Sequence, residues 1–177
     1  MKHLPQAALD ALGGVDVILH AGDVDAPAAL EPLRKIAPVY AVSGNFHILD
    51  LSDGGASLPE VIELELADKH VVLVHGHRPG PIGFFLKGLH VLAENLRLTD
   101  NGALNRRSAR RLARVYPEAD IIAFGHSHRA HVEWIGNTLL VNPGAVLKAG
   151  DRERPSVARI SIGKEKPKVE IISLPGR

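Results

Sequence analysis

The chain contains no cysteine, and this absence excludes several kinds of site at once. Without a thiol there can be no disulfide framework, no thiolate zinc site and no cysteine nucleophile. A reducing compartment agrees with this composition, although a chain without thiols tolerates any compartment.

Long apolar runs and an excess of charge of one sign are also missing. No run approaches the roughly 18 apolar residues that a membrane span needs, and residues 1–10 lack the apolar segment of a signal peptide. The net charge of +1 argues against binding to a membrane or to nucleic acid by bulk charge. We therefore expect a cytoplasmic protein with neither as a partner.

Aromatic residues are scarce, whereas histidines are not. Four Phe, two Tyr and one Trp stand against ten His, so metal or acid–base chemistry is expected. Apolar residues make up 45% of the 177 residues, enough to bury a core. Because no repeat, linker or low-complexity tract interrupts the chain, we expect one domain over residues 1–177.

Helical and strand patterns alternate in the first two thirds of the chain, and strand patterns alone follow. Helices are predicted over residues 5–12, 27–36, 84–96 and 103–116. Strands are predicted over residues 15–19, 38–42, 61–66, 71–74, 121–124, 132–135, 139–141, 156–162 and 168–173.

Four of these strands end in the same way, with a metal-ligating residue type beside a glycine. Sites in α/β sheets form outside the carboxyl ends of strands, and glycine allows the tight backbone that aims a side chain there. The residues concerned are Asp23, Asn45, the pair His75 and His77, and the pair His126 and His128.

Each ending taken alone has a simpler explanation. Gly-Asp and Gly-Asn are common turn signals, and two histidines two residues apart can be ordinary surface residues. The recurrence of four such endings favours one shared metal site. Carboxylate, amide and imidazole ligands suit manganese, iron, zinc or nickel, and the two oxygens of Asp23 could bridge two ions.

Taken in order, these motifs resemble the motif series of the calcineurin-like metallophosphoesterases. The run Asn142-Pro143-Gly144-Ala145 also resembles the small prokaryotic phosphodiesterase branch, whose shape the scaffold subunit of the retromer coat shares. The resemblance extends from Pro5 to about Leu174. It implies an α/β fold of four layers (α+β), in which two stacked mixed β-sheets are flanked by helices as a metallophosphoesterase-like β-sandwich.

The resemblance also implies a two-metal centre, with the same residues serving as catalytic and metal-binding groups. Asp23 would bridge both ions, and His128 would belong to the first metal. The second metal would be completed by Asn45, His75 and His126. His77 would lie behind the ligands or at the substrate rim.

The first motif of the family, a strand that ends in Asp-x-His, has no counterpart here. His3 is a poor substitute, because no strand leads into it and no carboxylate lies two residues earlier. We expect that the sequence begins late, and that turnover is weak or absent unless the strand is restored. A truly absent strand would leave a vacant sheet position with unpaired backbone groups.

A second departure follows Asn45. Many relatives have a histidine there that protonates the leaving group, whereas this chain has Phe46 and then His47. Neighbouring side chains in an extended loop point different ways, so His47 is retained only as a candidate substrate-binding residue. Members of the small branch also lack that histidine, and the departure therefore lowers the expected rate without excluding the class.

Two further features have open interpretations. Five arginines between residues 106 and 114 fall largely on one helix side, which favours a solvated face over a patch that binds phosphate or another subunit. Phe84, Phe85, Leu86 and Leu89 could form a core face or an oligomer contact.

The sequence thus predicts a metal-dependent phosphodiesterase that acts on a small phosphodiester or nucleotide. Manganese is the expected metal, with two ions in a complete site and one in this chain. One alternative is a scaffold or binding protein of the same fold with little or no catalysis. Another alternative is a single-metal hydrolase that uses Asp23, Asn45, His75 and His126. The sequence is compatible with a homo-oligomer and with a monomer.

Overall fold

The computed structural model of the protein describes residues 4–24, 27–44, 58–76, 101–147 and 154–176. The helices are α1 (Gln6–Ala11), α2 (Glu31–Arg34), which a 3-10 turn (Pro27–Leu30) precedes, and α3 (Asn101–Val115). The strands are β1 (Ile18–His20), β2 (Val39–Ala41), β3 (Val61–Leu66), β4 (Lys69–Val74), β5 (Ile121–Phe124), β6 (Ala130–Ile135), β7 (Thr138–Pro143), β8 (Ser156–Ser161) and β9 (Lys168–Ser173).

A five-stranded mixed sheet in the order β3-β4-β5-β7-β6 forms the centre of the described fold. Its three central strands, β4, β5 and β7, are parallel, and β3 and β6 are antiparallel edge strands. Ala67 and Asp68 join β3 to β4 with positive φ angles of 48° and 60°, the conformation that a type I′ hairpin turn requires. Because β4 and β5 are parallel, the loops that follow them lie at the same edge of the sheet.

Two small sheets, β1–β2 (parallel) and β8–β9 (antiparallel), cover one face of the large sheet. Leu19 of β1 and Ile160 of β8 both pack on the apolar face formed by Val71, Ile121 and neighbouring residues of the large sheet. The two small sheets therefore belong to one layer, and within the described residues no strand pairs them to each other.

Helices close both outer faces. The side chains of β1 and β8 that point away from the large sheet, Ile18 and Val157, pack against α1. On the far side, Ala109 and Leu112 of α3 pack on Phe124 and its neighbours in the large sheet. The result is a layer order of helix, small sheets, large sheet and helix, as predicted.

Most predicted elements are confirmed, and two need correction. The predicted strand 15–19 is wrong at its start, because an exposed Asp16 follows the left-handed Gly14 and the strand runs from Ile18 to His20. The predicted helix 27–36 is not continuous, since Pro32 has no N–H to donate to an earlier carbonyl.

Other predictions have mixed outcomes. Arg106, Arg107, Arg110 and Arg114 are exposed, as a solvated face requires. Arg111 is half-buried and donates a hydrogen bond to the carbonyl of Gly76. The predicted helix 84–96 and its apolar residues lie outside the described residues. Among the helices of the described ranges, none is long and apolar enough to cross a membrane.

Candidate metal centre

Three strand ends from two different sheets meet at the candidate site. Asp23 follows β1 of a small sheet, His75 follows β4 directly, and His126 and His128 follow β5. A glycine lies beside each of these strand ends, and Gly22 and Gly76 have left-handed φ values of 100° and 91°.

The carboxylate of Asp23 lies between two imidazoles of the other sheet. Its Oδ2 is 3.1 Å from Nε2 of His128, and its Oδ1 is 3.6 Å from Nε2 of His75. Asp23 is 17% exposed and His75 is 2% exposed, whereas His128 is 39% exposed. The site is thus closed at His75 and open to solvent at His128.

The tautomer of His75 follows from its hydrogen bond to the backbone. Nδ1 of His75 lies 2.6 Å from the carbonyl oxygen of Ala21 and must donate to it, because a carbonyl only accepts. In the neutral ring Nε2 therefore carries a lone pair, and that lone pair faces an oxygen of Asp23. A lone pair and a carboxylate oxygen that face each other favour a positive charge beside them, from a proton or a metal ion, and a backbone-tied imidazole is how proteins commonly present a metal ligand.

His126 completes the group of imidazoles. Its ring packs edge-on against His75, with centroids 5.4 Å apart and an interplanar angle of 79°. Three of the predicted ligands have left-handed backbone, with φ of 58° at Asp23, 76° at His126 and 58° at His128. Such conformations cost roughly 1–3 kcal/mol each in a residue with a side chain and cluster at functional sites.

Two glycines are required by the close approach of the site residues. A Cβ on Gly22 would lie 2.4 Å from Nδ1 of His75, and a Cβ on Gly44 would lie 2.1 Å from the backbone nitrogen of Asp23. The segment that follows β2 is therefore pressed against Asp23 at Gly44. Asn45, the next residue and a predicted ligand, lies outside the described residues.

The sequence prediction overlooked His20, at the end of β1. Its Nδ1 is buried and has no hydrogen-bond partner in the described part of the chain. Burial lowers the pKa of His20; the negative charge of Asp23 opposes this shift, whereas His75 adds to it. The available signal was its position, since His20 lies at the carboxyl end of a strand and three residues before Asp23.

The structure brings together Asp23, His75, His126 and His128 from the predicted set. His3, Asn45, His47 and His77 lie outside the described residues. Within the described ranges, no three histidine or acidic side chains lie close enough together to hold an ion alone. The described residues do place a carboxylate beside imidazoles, and these donor types are ones that divalent cations accept.

Comparison with known proteins decides the family. The sequence profile of the calcineurin-like phosphoesterase superfamily domain matches residues 1–165 of this chain. The chain belongs to the calcineurin-like phosphoesterase superfamily. Divalent metals are the cofactors that this superfamily uses.

Two archaeal relatives agree with this membership. A probable metallophosphoesterase of Methanocaldococcus jannaschii is 30% identical over 142 residues, which cover 80% of this chain and 59% of the relative. The chain thus spans little more than half of that protein. A probable metallophosphoesterase of Methanothermobacter thermautotrophicus is 29% identical over 175 residues, which cover 97% of this chain and 83% of the relative.

Solved structures share the calcineurin-like phosphoesterase fold of this chain. Vps29 from Entamoeba histolytica, in complex with zinc, superposes with a TM-score of 0.66 at 21% identity and covers 98% of this chain and 91% of its own. An archaeal phosphodiesterase superposes with a TM-score of 0.60 at 17% identity and covers 95% of this chain and 88% of its own. At these identities the likeness concerns the fold.

Proposed function

We propose that this chain hydrolyses phosphodiesters with the help of divalent metal held by Asp23, His75, His126 and His128, and by Asn45 as a further ligand. The proposal depends chiefly on one observation. The two oxygens of Asp23 face imidazole nitrogens from a different sheet, and one of those nitrogens presents a lone pair. Membership of the superfamily supports phosphoesters as the substrate class.

Each residue has a separate part in this proposal. A divalent metal held by these residues would lower the pKa of a water molecule and so provide a nucleophile near neutral pH. The carbonyl of Ala21 keeps His75 in the tautomer that ligates. Asp23 supplies the negative charge that offsets bound cations, and the exposed His128 marks the side from which a phosphate group enters.

The bond changes need no covalent enzyme intermediate. A water oxygen attacks phosphorus and gives up one proton, the bond to the leaving oxygen breaks, and the leaving oxygen takes up one proton in turn. The chain contains no cysteine, so a covalent intermediate in which a cysteine sulfur holds the phosphoryl group is excluded. His47 and His77 are the proposed residues at the substrate rim. An aryl leaving group needs little protonation, which makes it suitable for an assay of the site alone.

Manganese is the proposed metal, and iron, zinc and nickel are the alternatives. These ions accept the oxygen and imidazole donors that the site offers. Metal analysis of the purified chain separates one ion per chain from two. We propose a small phosphodiester or nucleotide as substrate and a cytoplasmic location.

Hydrolysis of bis(p-nitrophenyl) phosphate with added Mn²⁺ tests the function. We expect slow, manganese-dependent release of nitrophenol, and a loss of at least about 100-fold in Asp23→Asn and His128→Gln, because each change removes a metal-holding group. The matched controls are Asp10→Asn, which alters an exposed carboxylate on α1, and His131→Gln on the edge strand β6. Both controls should retain the activity of the unaltered chain.

Two results would count against the proposal. Turnover that persists in Asp23→Asn and His128→Gln would place the chemistry elsewhere. Absence of turnover in the unaltered chain and in a version extended with an upstream Asp-x-His strand would favour the scaffold alternative.

A further inference from the structure

A buried polar cluster lies behind the loop that carries His126 and His128. It consists of Asn105 on α3, Ser127 in the loop itself and Asn142 near the end of β7. Asn105 is 2% exposed and Asn142 is fully buried. Buried amides are costly unless their hydrogen bonds are satisfied, so the partners of these two side chains indicate what they are for.

Asn142 holds the start and the middle of the loop. Its Nδ2 donates to the carbonyl of Gly125 at 2.9 Å and to Oγ of Ser127 at 3.0 Å. Its Oδ1 accepts the backbone N–H of Gly144 at 3.0 Å, which fixes the amide with its donors toward the loop. Both ends of this side chain are satisfied.

Asn105 holds the middle and the end of the same loop from the other side. Its Oδ1 accepts the hydroxyl of Ser127 at 2.6 Å, and its Nδ2 donates to the carbonyl of Arg129 at 3.2 Å. The hydroxyl oxygen of Ser127 also accepts the backbone N–H of Arg129 at 3.3 Å. A helix and a strand are thus joined through one serine.

The hydrogen bonds alternate with the histidines along the chain. Gly125, Ser127 and Arg129 are held by the two amides, whereas His126 and His128 lie between the held residues and have φ values of 76° and 58°. A left-handed backbone at two histidines persists only where the surroundings fix the residues on either side. The cluster provides that restraint, and His128 then reaches Asp23 at 3.1 Å.

We propose that Asn105, Ser127 and Asn142 are positioning residues of the metal centre, which hold the loop so that His126 and His128 face Asp23. The inference rests on the proposed function where it concerns metal. The geometry of the loop can be tested separately, in the chain without metal.

Asn142→Asp is the most informative variant. The side chain keeps its shape and can still accept the N–H of Gly144, but it loses both donors and places an oxygen against the carbonyl of Gly125. Asn105→Asp similarly keeps the acceptor for Ser127 and loses the donor to Arg129. The control is Thr138→Val, which removes another buried hydrogen bond of β7, from the hydroxyl of Thr138 to the carbonyl of Ala119 at 2.8 Å.

Titration calorimetry with Mn²⁺ measures the effect on the metal site. We expect both aspartate variants to bind Mn²⁺ roughly 10–100-fold more weakly, which is the usual effect of removing a group that orients metal ligands. Thr138→Val should bind as the unaltered chain does, even where it lowers the free energy of unfolding. An equal loss of Mn²⁺ affinity in Thr138→Val and Asn142→Asp would overturn the inference, because it would show that the cluster stabilises the fold without positioning the histidines.

The second measurement uses the metal-free chain. A residue with positive φ gives a strong intraresidue contact between its amide and α protons in nuclear Overhauser spectra. We expect this signal at His126 and His128 in the unaltered chain and in Thr138→Val, and its loss in Asn142→Asp. Ser127→Ala takes the place of Asn142→Asp if that variant does not fold.

The two measurements separate the two proposals. Suppose that the unaltered chain binds no Mn²⁺ and that the aspartate variants lose the nuclear Overhauser signals. This result would support the role of the cluster in positioning the loop and would contradict the proposed metal-dependent function. Folded variants that keep both signals would overturn the positioning cluster whatever the affinity for metal.

Discussion

At the scale of single residues, the site is defined by close contact and by unusual backbone. Among the described residues with side chains, positive φ occurs at five positions, two in the β3–β4 turn and three at Asp23, His126 and His128. No regular element explains the last three. A side chain on a left-handed backbone points in a direction that neither a helix nor a strand offers, and Asp23 and His128 meet at 3.1 Å in this way.

Gly44→Ala tests the close approach at Asp23. The added Cβ would lie 2.1 Å from the backbone nitrogen and 2.3 Å from Oδ1 of Asp23, so the loop or the carboxylate must move. We expect a loss of about 1–3 kcal/mol in the free energy of unfolding, as overpacking commonly causes, and weaker Mn²⁺ binding. Urea unfolding and titration calorimetry measure the two effects.

Gly163→Ala is the matched control, because nothing lies within 4 Å of the Cβ it would add. It should leave stability and metal affinity nearly unchanged. Equal behaviour of the two alanine variants would show that Gly44 does not press on Asp23.

At the scale of elements, β4 and β5 are joined at their starts as well as at the site. The backbone N–H of His70 donates to Oδ2 of Asp120 at 2.9 Å, and Nζ of Lys69 lies 3.1 Å from Oδ1. The hydrogen bond from His70 is the largest cause of a lowered pKa at Asp120, and Lys69 adds to it. This contact agrees with the parallel register of β4 and β5, in which Val74 pairs with Phe124, so that the residues after both strands lie at the same edge.

Asp120→Ala should therefore weaken the fold in a pH-dependent way. A carboxyl with a lowered folded-state pKa stabilises the protein above its ordinary value of 3.8, and that stabilisation is lost as pH falls through the folded-state value. We expect a loss of about 0.5–1 kcal/mol near pH 7, modest because the pair is partly exposed, and little difference from the unaltered chain at strongly acid pH. Urea unfolding at several pH values measures it, and a difference that does not change with pH would contradict the assignment.

Local sequence patterns predict the helices and strands well where apolar residues form an uninterrupted run. Strand β5 consists of four consecutive buried apolar residues, and such a run is visible in the sequence. The predicted limits of β5 therefore agree with the structure to the residue. The break near Pro32 and the late start of β1 depend on single residues inside apolar runs. The split of the outer layer into two small sheets depends on pairing between distant strands, which no local pattern contains.

The same difference applies to the site. Asp23, His75, His126 and His128 were predicted because each follows a strand, and strand ends converge. Asn105 was missed, because an asparagine within an arginine-rich helix gives no local sign that it is buried against a loop 20 or more residues away. Asn142 was noted only as part of a motif, without a role.

At the scale of the whole molecule, the candidate centre lies between the β1–β2 sheet and the five-stranded sheet, which apolar packing also joins. Asp23 belongs to the β1–β2 layer, whereas His75, His126 and His128 belong to the five-stranded sheet. Leu19, Ala21 and Val42 are among the residues that pack this outer layer on Leu73 and Ala123. A sheet of two short strands has little stability of its own.

Metal should therefore protect the outer layer more than the inner one. We expect Mn²⁺ at 100 times its dissociation constant to add about 2.7 kcal/mol to the free energy of unfolding. Amide hydrogen exchange should slow most in β1 and β2, and Asp23→Asn should abolish the difference. Equal slowing in β1 and β5, or none, would contradict a bridge between the layers.

The two short strands of β1–β2 give this arrangement a consequence for cooperativity. Without an ion, we expect the β1–β2 sheet to open locally while the five-stranded sheet stays folded. An ion held by one carboxylate from the first and imidazoles from the second makes that separate opening costly. Metal binding would then make the β1–β2 sheet unfold only together with the five-stranded sheet. The metal concentration would in turn determine how fast proteases cleave the β1–β2 sheet.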